Sequence, residues 1–497
     1  MNHITGDKTA LNRSPTIMEI HHPLRKTKII ATIGPACDSL ETLEAMMLAG
    51  MSVARLNLSH GSYNEYRERL KRIRLTAEKL CINVATMIDT RGIEIRTGRI
   101  KEGWVDLTVG DCFTLFTDGR LGNQEGASIT YKKLPQEIGA GTPILLDDGN
   151  IELISEQVDE DKIHCRVVLG GRLGDTKSVN LPETELSLRA VSPENRDDVI
   201  REMTFAAENE VDYIAASFVQ HEEDVTLLRE VLADHGVKIP IIAKIENRAG
   251  VKNLEGIVAA ADGVMVARGD LGVELPLADV PGTQKKIIHM TVGQGKPVIT
   301  ATEMLASMQR NPKPTRAEAS DVANAILDGT SAIMLSGETA AGKYPVLAVR
   351  TMAEIALRAE SYLKEYGYLQ RVAGNRSNIV TEAVSLASAT MAQELDARAI
   401  FSLTETGFTS RMVSRRRPDC PILAITSSRI VARRLSLNWG VFPICFEGEI
   451  NDQAKLDYGL ERARELGYVG AGDLIIATAG SGQKKGGTDS IRVLTIE

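Results

Sequence analysis

Eight short apolar runs recur between residues 27 and 339: TKIIATIGP (27–35), SVARLNLSHG (52–61), NVATMIDT (83–90), VDYIAASFV (211–219), IIAKIE (241–246), GVMVARGD (263–270), PVITATEM (297–304) and SAIMLSGET (331–339). Runs that are apolar on both faces suit strands of a parallel sheet covered on both sides, and the segments between them carry apolar residues at helical spacing. Eight successive strand–helix units imply an α/β chain built on a (β/α)8 TIM barrel, whose chemistry sits at the C-terminal ends of the strands. The polar groups that interrupt these runs lie at that end. Asp38 with Glu41 reads as a capping box opening the first helix, which carries Leu40, Leu43 and Met47 and stops at Gly50. Ser192-Pro193 opens another that runs to about Asn209.

The spacing breaks once. More than a hundred residues separate the third run from the fourth, and the stretch 93–188 has a different texture. Short alternating runs such as WVDLTV, CFTLF, TPILL, IELI and KIHCRVVL are parted by Gly and Asp turns, with Asp148-Gly149 as a hairpin signal. This predicts a small β-barrel or sandwich inserted as a lid domain between two parts of the barrel, 24–92 and 189–365. From 366 to 497 the alternation changes again, with a helix near 378–395 and strands near 398–404, 421–426, 441–446, 473–478 and 490–496, which predicts a separate open-sheet α/β domain. Residues 1–23 are polar, lack a signal-peptide core and read as a disordered leader.

A chain of 497 residues is too long for one ordinary core. Its net charge of −8 gives no basic footprint for nucleic acid or an anionic membrane, and no apolar run is long enough to span one. The six cysteines are scattered without a C-x-x-C pair, which suits reduced thiols in a cytoplasmic protein.

The strand ends carry specific chemistry. Residues i and i+2 of a strand share a face, so Lys244 and Glu246 point one way while Ala243 and Ile245 point the other. Arg55, Asn57 and Ser59 share a face in the same manner, opposite Leu56 and Leu58. Glu246 and Asp270 are hard oxygen ligands suited to Mg²⁺ or Mn²⁺, with no His or Cys nearby to favour zinc. Lys244 and Arg55 could stabilise charge on a transferring phosphoryl group. The Gly269-Asp270 backbone with Thr302 could hold a carboxylate or phosphate. Asn57, Ser59, Asp89 and Thr90 offer oxygens for a weaker monovalent cation. Taken singly, Lys-x-Glu is usually an ion pair, Arg-Gly-Asp a turn, and Asn57 with Ser59 a loop tie. Jointly, polar groups at six strand ends have no stability rationale in a packed barrel. His60 is as readily a solvated loop residue as a substrate contact, and Ser217, Ser336 and Glu338 share the strand-end address with even odds. In the last domain Thr404, Thr406, Gly407 and Thr409 form a hydroxyl-rich turn opening a helix, which suits a phosphate or simple capping equally.

The stretches RLNLSHG (55–61), DTRGIEIRTG (89–98), AASFV (215–219), IAKIEN (242–247), VARGDLGVE (266–274), ITATEML (299–305), PTRAEASDVANAILDGT (314–330) and MLSGETAAGKYP (334–345) together resemble the pyruvate kinase family, over nearly the whole chain after residue 24. The resemblance implies transfer of the phosphoryl group of phosphoenolpyruvate to ADP, giving pyruvate and ATP, in the final step of glycolysis. It implies that Lys244, helped by Arg55, stabilises the transferring group and that Glu246 and Asp270 bind the divalent ion. It further implies that Asn57, Ser59, Asp89 and Thr90 bind K⁺, with Glu94 marking a K⁺-dependent member. Gly269, Asp270 and Thr302 would hold the substrate carboxylate, and His60, Arg96 and Asn57 would lie toward the nucleotide. Thr302 and Ser336 would relay the proton that quenches the enolate. The insert would be a mobile lid with Asp148 facing inward, and the last domain a regulatory one whose 404–409 turn takes a phosphorylated effector. Family members are usually homotetramers. Departures from the family pattern are Arg91, Ile93, Glu183, Glu303 and the final loop GSGQKKGGTDS. A metal-dependent aldolase on the same barrel would explain neither the K⁺-type quartet, nor the lid, nor the last domain. A non-catalytic sensor would be expected to have lost Lys244, Glu246 or Asp270.

Overall fold

Eight parallel strands close into a ring in a computed structural model that describes residues 24–497 apart from 93, 183, 185, 193–194, 368–378, 449–450 and 481–486. The expected leader, Ile93, Glu183, Pro193 and residues 481–486 of the final loop lie outside the described residues. The strands are β1 (Lys28–Thr32), β2 (Val53–Asn57), β3 (Ala85–Asp89), β4 (Tyr213–Ala216), β5 (Ile241–Ile245), β6 (Gly263–Ala267), β7 (Val298–Ala301) and β8 (Ala332–Leu335). Each pairs with its sequence neighbours, and β8 closes on β1 through Lys28↔Ala332 to Ala31↔Leu335.

Strand alternation divides the side chains between two cores. Val53, Met87, Ile242, Met265 and Met334 fill the barrel interior. Ala54, Leu56, Ile88, Ala243 and Ile245 face outward and pack against the surrounding helices. Arg55, Lys244 and Glu246 belong by register to the inward set, so the lower barrel is apolar and its upper mouth charged.

The first helix, Leu40–Leu48, is capped by Ser39, whose hydroxyl accepts from Thr42 N at 3.2 Å. Asp38, the cap expected from sequence, instead takes the guanidinium of Arg69 at 3.3 Å. A serine one position on satisfies the same orphan N–H groups and leaves the carboxylate free for a charge partner.

The insert between β3 and β4 folds as a six-stranded sheet and a two-stranded sheet around one apolar core. Its chain turns from one sheet to the other at Gly170, where a Cβ would lie 2.4 Å from the Leu107 carbonyl. The hairpin at Asp148-Gly149 joins Pro143–Leu146 to Ile151–Val158, with φ of 53°, 56° and 83° at Asp147, Asp148 and Gly149.

The last domain is a five-stranded sheet, ordered Val441–Cys445, Ile422–Thr426, Ala399–Leu403, Leu474–Ala479 and Ser490–Thr495, parallel except for the final strand. It sits beneath the barrel. Leu437 joins the barrel's interior core, Arg433 Nε pairs with buried Asp212 at 2.9 Å, and the Tyr213 hydroxyl donates to the Arg434 carbonyl at 2.6 Å. Asp212 also accepts from Thr86 N and Oγ1, so one carboxylate ties β3, β4 and the lower domain together. No described helix is long and apolar enough to cross a membrane.

Candidate active site

The mouth of the barrel is organised around Lys244. Its ammonium lies 2.9 Å from Asp89 Oδ1, 2.8 Å from Glu246 Oε1 and 2.9 Å from Ser217 Oγ. Strands β3, β4 and β5 are neighbours, so their ends deliver these groups to one point. Asp89 is almost fully buried and also accepts Arg55 Nε at 2.7 Å. Arg55 is held from its other side by Thr32 Oγ1 at 2.8 Å.

These charges govern one another. Burial opposes the charge on Lys244, but Asp89 and then Glu246 outweigh it and raise the ammonium above its ordinary value. These two carboxylates favour the charged form of Lys244. Burial likewise works against Asp89, yet Arg55 and Lys244 hold its carboxyl below the usual range. Asp270 moves the other way: burial first, then the charge of Glu246, push its carboxyl up.

That upward push is a measure of fit for a cation. Two half-buried or buried carboxylates that repel one another are relieved by a positive charge between them. Glu246 already accepts Phe218 N at 2.6 Å and Lys244, which fixes its orientation and leaves lone pairs to spare. Among the described residues no group of three or more His, Cys, Asp or Glu gathers into a cage. Two oxygen ligands with the remainder from water and substrate is the arrangement Mg²⁺ prefers.

Gly269 and Thr302 are brought together as expected, with Gly269 N donating to Thr302 Oγ1 at 2.8 Å. Thr302 and Glu303 are both left-handed, at φ 61° and 54°. A β-branched residue there is strained and must be held. Arg268 holds it: one nitrogen donates to the Thr302 carbonyl at 2.7 Å, while another grips both oxygens of Asp321 at 2.7 Å. Sequence reading saw Arg268 only as part of a turn. Its position beside the strand end was the available signal. Glu338 accepts Ser336 N at 2.8 Å and Leu305 N at 3.1 Å, a brace between the ends of β7 and β8. Ser336 Oγ is buried without a hydrogen-bond partner.

The monovalent quartet lies at the adjoining ends of β2 and β3, where Asn57 and Asp89 are in register. Its oxygens are partly engaged: Asn57 Oδ1 accepts Ser59 N at 3.1 Å and Thr90 Oγ1 accepts Ser217 N at 3.0 Å. His60 is exposed in the loop beyond β2.

Between insert and barrel lies a cavity of about 630 Å³ whose walls include Glu94, Arg96, Asp148, Asp270, Thr302 and Glu303. Arg96 pairs with Glu94 and donates to the Thr176 carbonyl at 2.9 Å. Asp148 accepts the Ser178 hydroxyl at 2.7 Å. Insert and barrel thus share one chamber, and Asp270 feels the charges of both Glu94 and Asp148.

Where the chain leaves β3 for the lid, buried Glu202 accepts Arg91 N at 3.2 Å, and Arg91 Nε donates to the Leu58 carbonyl at 2.7 Å. Burial pushes the Glu202 carboxyl up to about 7. The folded chain therefore binds this proton more tightly than the unfolded chain does. The resulting stabilisation is complete below the ordinary carboxylate range and is lost as pH rises to about 7. In Glu202→Gln, about 3 kcal/mol of that pH dependence should vanish from urea unfolding curves, the equivalent of the shift.

In the last domain Gly407, at φ 75°, opens the helix Phe408–Arg415. The hydroxyls around it are occupied locally: Thr404 Oγ1 accepts Gly407 N at 2.9 Å, Thr406 Oγ1 accepts Phe408 N at 3.4 Å, and Thr409 meets Thr488 at 2.5 Å. Arg415 and Arg416 both pair with Glu382.

Comparison with known proteins accords with this geometry. Residues 24–349 match the family described as pyruvate kinase, barrel domain, and residues 382–494 match pyruvate kinase, alpha/beta domain. The chain is 45% identical over 476 residues to a pyruvate kinase of Bacillus licheniformis, covering 95% of this chain and 81% of that one. It is 46% identical to that of Geobacillus stearothermophilus, covering 92% and 78%. With that of Clostridium acetobutylicum it shares 42% identity, covering 95% of this chain and all of the relative.

Proposed function

The chain belongs to the pyruvate kinase family, and on that premise we propose that its cleft moves the phosphoryl group of phosphoenolpyruvate to ADP with the help of Mg²⁺ and K⁺. One observation carries the residue-level reading: a charged Lys244 fixed by Asp89, Glu246 and Ser217 beside a second carboxylate, Asp270, at the mouth of the barrel.

Glu246 and Asp270 would hold the divalent ion, which when bound would supply positive charge to the reacting anion. Gly269, Asp270 and Thr302 place the substrate carboxylate. Lys244, with Arg55 behind Asp89, presents a preorganised and largely buried cation to the transferring group. Arg96, Asn57 and His60 face the nucleotide. Asn57, Ser59, Asp89 and Thr90 would hold K⁺ through their oxygens. Thr302 and Ser336 guide the proton that reaches the enolate carbon, and the free Ser336 hydroxyl supports that role. The insert closes over the chamber and excludes water.

The same reading makes the chain a cytoplasmic glycolytic enzyme, a homotetramer, and a target for a phosphorylated effector at Thr404, Thr406, Gly407 and Thr409. The locally satisfied hydroxyls of that turn would have to exchange partners for such a ligand.

A coupled assay tests the core of it. Pyruvate should form from phosphoenolpyruvate and ADP only with Mg²⁺, and faster with K⁺ than with the same concentration of a larger monovalent cation. No ADP-dependent pyruvate would sink the reaction, whereas indifference to K⁺ would sink only the quartet.

A further inference from the structure

The chain leaves the barrel for the insert at Gly92, and there it runs against Phe218, two residues beyond the end of β4. The fit is close. A Cβ on Gly92 would lie 2.9 Å from Phe218 Cε2, nearer still to Cδ2, and 2.7 Å from Ser217 Cβ. Both partners are left-handed, Gly92 at φ 65° and Phe218 at φ 55°. That backbone is free for glycine and costly for a bulky aromatic residue, so Phe218 must be held there. Ser217 N donates to Thr90 Oγ1 at 3.0 Å, and the Ser217 hydroxyl donates to the Thr90 carbonyl at 2.7 Å. In this conformation one residue presents its N–H to Glu246, at 2.6 Å, and its ring to Gly92. Packing does not account for the cost. Phe218 is half-buried, lines the chamber between insert and barrel, and stands outside the apolar clusters of both. Strain held at such a point is retained where it positions something.

We propose that Phe218 is a positioning residue that ties the place of Glu246 to the angle at which the insert leaves the barrel. The inference rests on the reading of Glu246 as a ligand of the divalent ion and of the insert as a moving lid. A change in the direction of the chain at Gly92 moves the ring packed on it. Ring and N–H belong to one residue braced by Thr90, so that movement reaches Glu246 without a further intermediary. The link runs both ways: an ion that fixes Glu246 biases the insert, and the position of the insert alters the affinity for the ion by the same factor.

The two exposed cysteines suit the test, since Cys81 lies on the barrel and Cys112 on the insert. Spin labels on these two, with Cys420 and Cys445 replaced by serine and the chains diluted with unlabelled protein, report the distance from insert to barrel by double electron–electron resonance. Mg²⁺ should shift that distance when Phe218 is present. In Phe218→Ala the ion should still bind by calorimetric titration, about fivefold more weakly, the low end of coupling between linked sites, and should leave the distance unmoved. Phe218→Tyr, which keeps a ring against Gly92, should restore both readings. If the alanine variant does not fold by circular dichroism, Phe218→Leu replaces it, keeping apolar bulk without the ring. The inference is overturned by a shift that survives loss of the ring, by Mg²⁺ binding without a shift when Phe218 is present, or by a tyrosine variant that restores neither reading. No Mg²⁺ binding by the unsubstituted chain would sink the metal reading itself, and this inference with it.

Discussion

Lys244→Met should lower kcat by about a thousandfold with little change in the fold, the size of loss seen when one preorganised charge-stabilising donor is removed from an enzyme site. The reason is positional. The ammonium is raised by Asp89 and Glu246 against the pull of burial, so on the proposed reading the wild-type site would present a positive charge to the phosphoryl group. Methionine keeps the length of the side chain and removes the charge. Asp89 would still have Arg55, and Glu246 would still have Phe218 N, so neither carboxylate is left bare. Steady-state kinetics with the coupled assay, beside a thermal melt, would check it. Turnover near wild type would remove Lys244 from the mechanism.

Asp270→Asn should weaken Mg²⁺ binding by about a hundredfold or more, since losing even an outer-sphere partner of a metal site costs ten- to a hundredfold. The same substitution relieves the repulsion with Glu246 that burial sharpens, so the metal-free protein should be no less stable, and Mg²⁺ should raise its melting temperature less than it raises that of the wild type. Calorimetric titration and melting with and without the ion read both effects. An unchanged Mg²⁺ affinity would move the divalent site away from Asp270.

The barrel was legible because its code is periodic. Eight apolar runs with polar ends determine strand number, and strand number determines which end is active. Asn57, Asp89, Glu246, Thr302 and Ser336 fall at or immediately beyond a strand's final residue, so their placement at one end of the barrel follows from topology alone. What the residues could not disclose was how each polar group is held. Asp89 serves Arg55 and Lys244 at once, and Arg268 reaches across to steady Thr302 from a different strand. Such bonds join residues far apart in sequence through side-chain rotamers, and no periodicity encodes them. Glu202 was missed for a related reason. On its helix it is one acid among several, and only the Arg91 backbone packed against it gives it a partner. Ser39 replaced Asp38 as a cap because two neighbouring residues compete for the same orphan amides and their other partners decide the outcome.

Leu437 shows that the boundary between the barrel and the last domain is one of sequence only. That side chain, from the last domain, is fully buried within the hydrophobic set that fills the barrel's interior. The barrel therefore closes on itself around its circumference but borrows its floor. The charged cluster at the mouth and the domain at the base meet the same few strands from opposite ends. A signal from below would have no gap to cross, since it begins already inside the wall it must move.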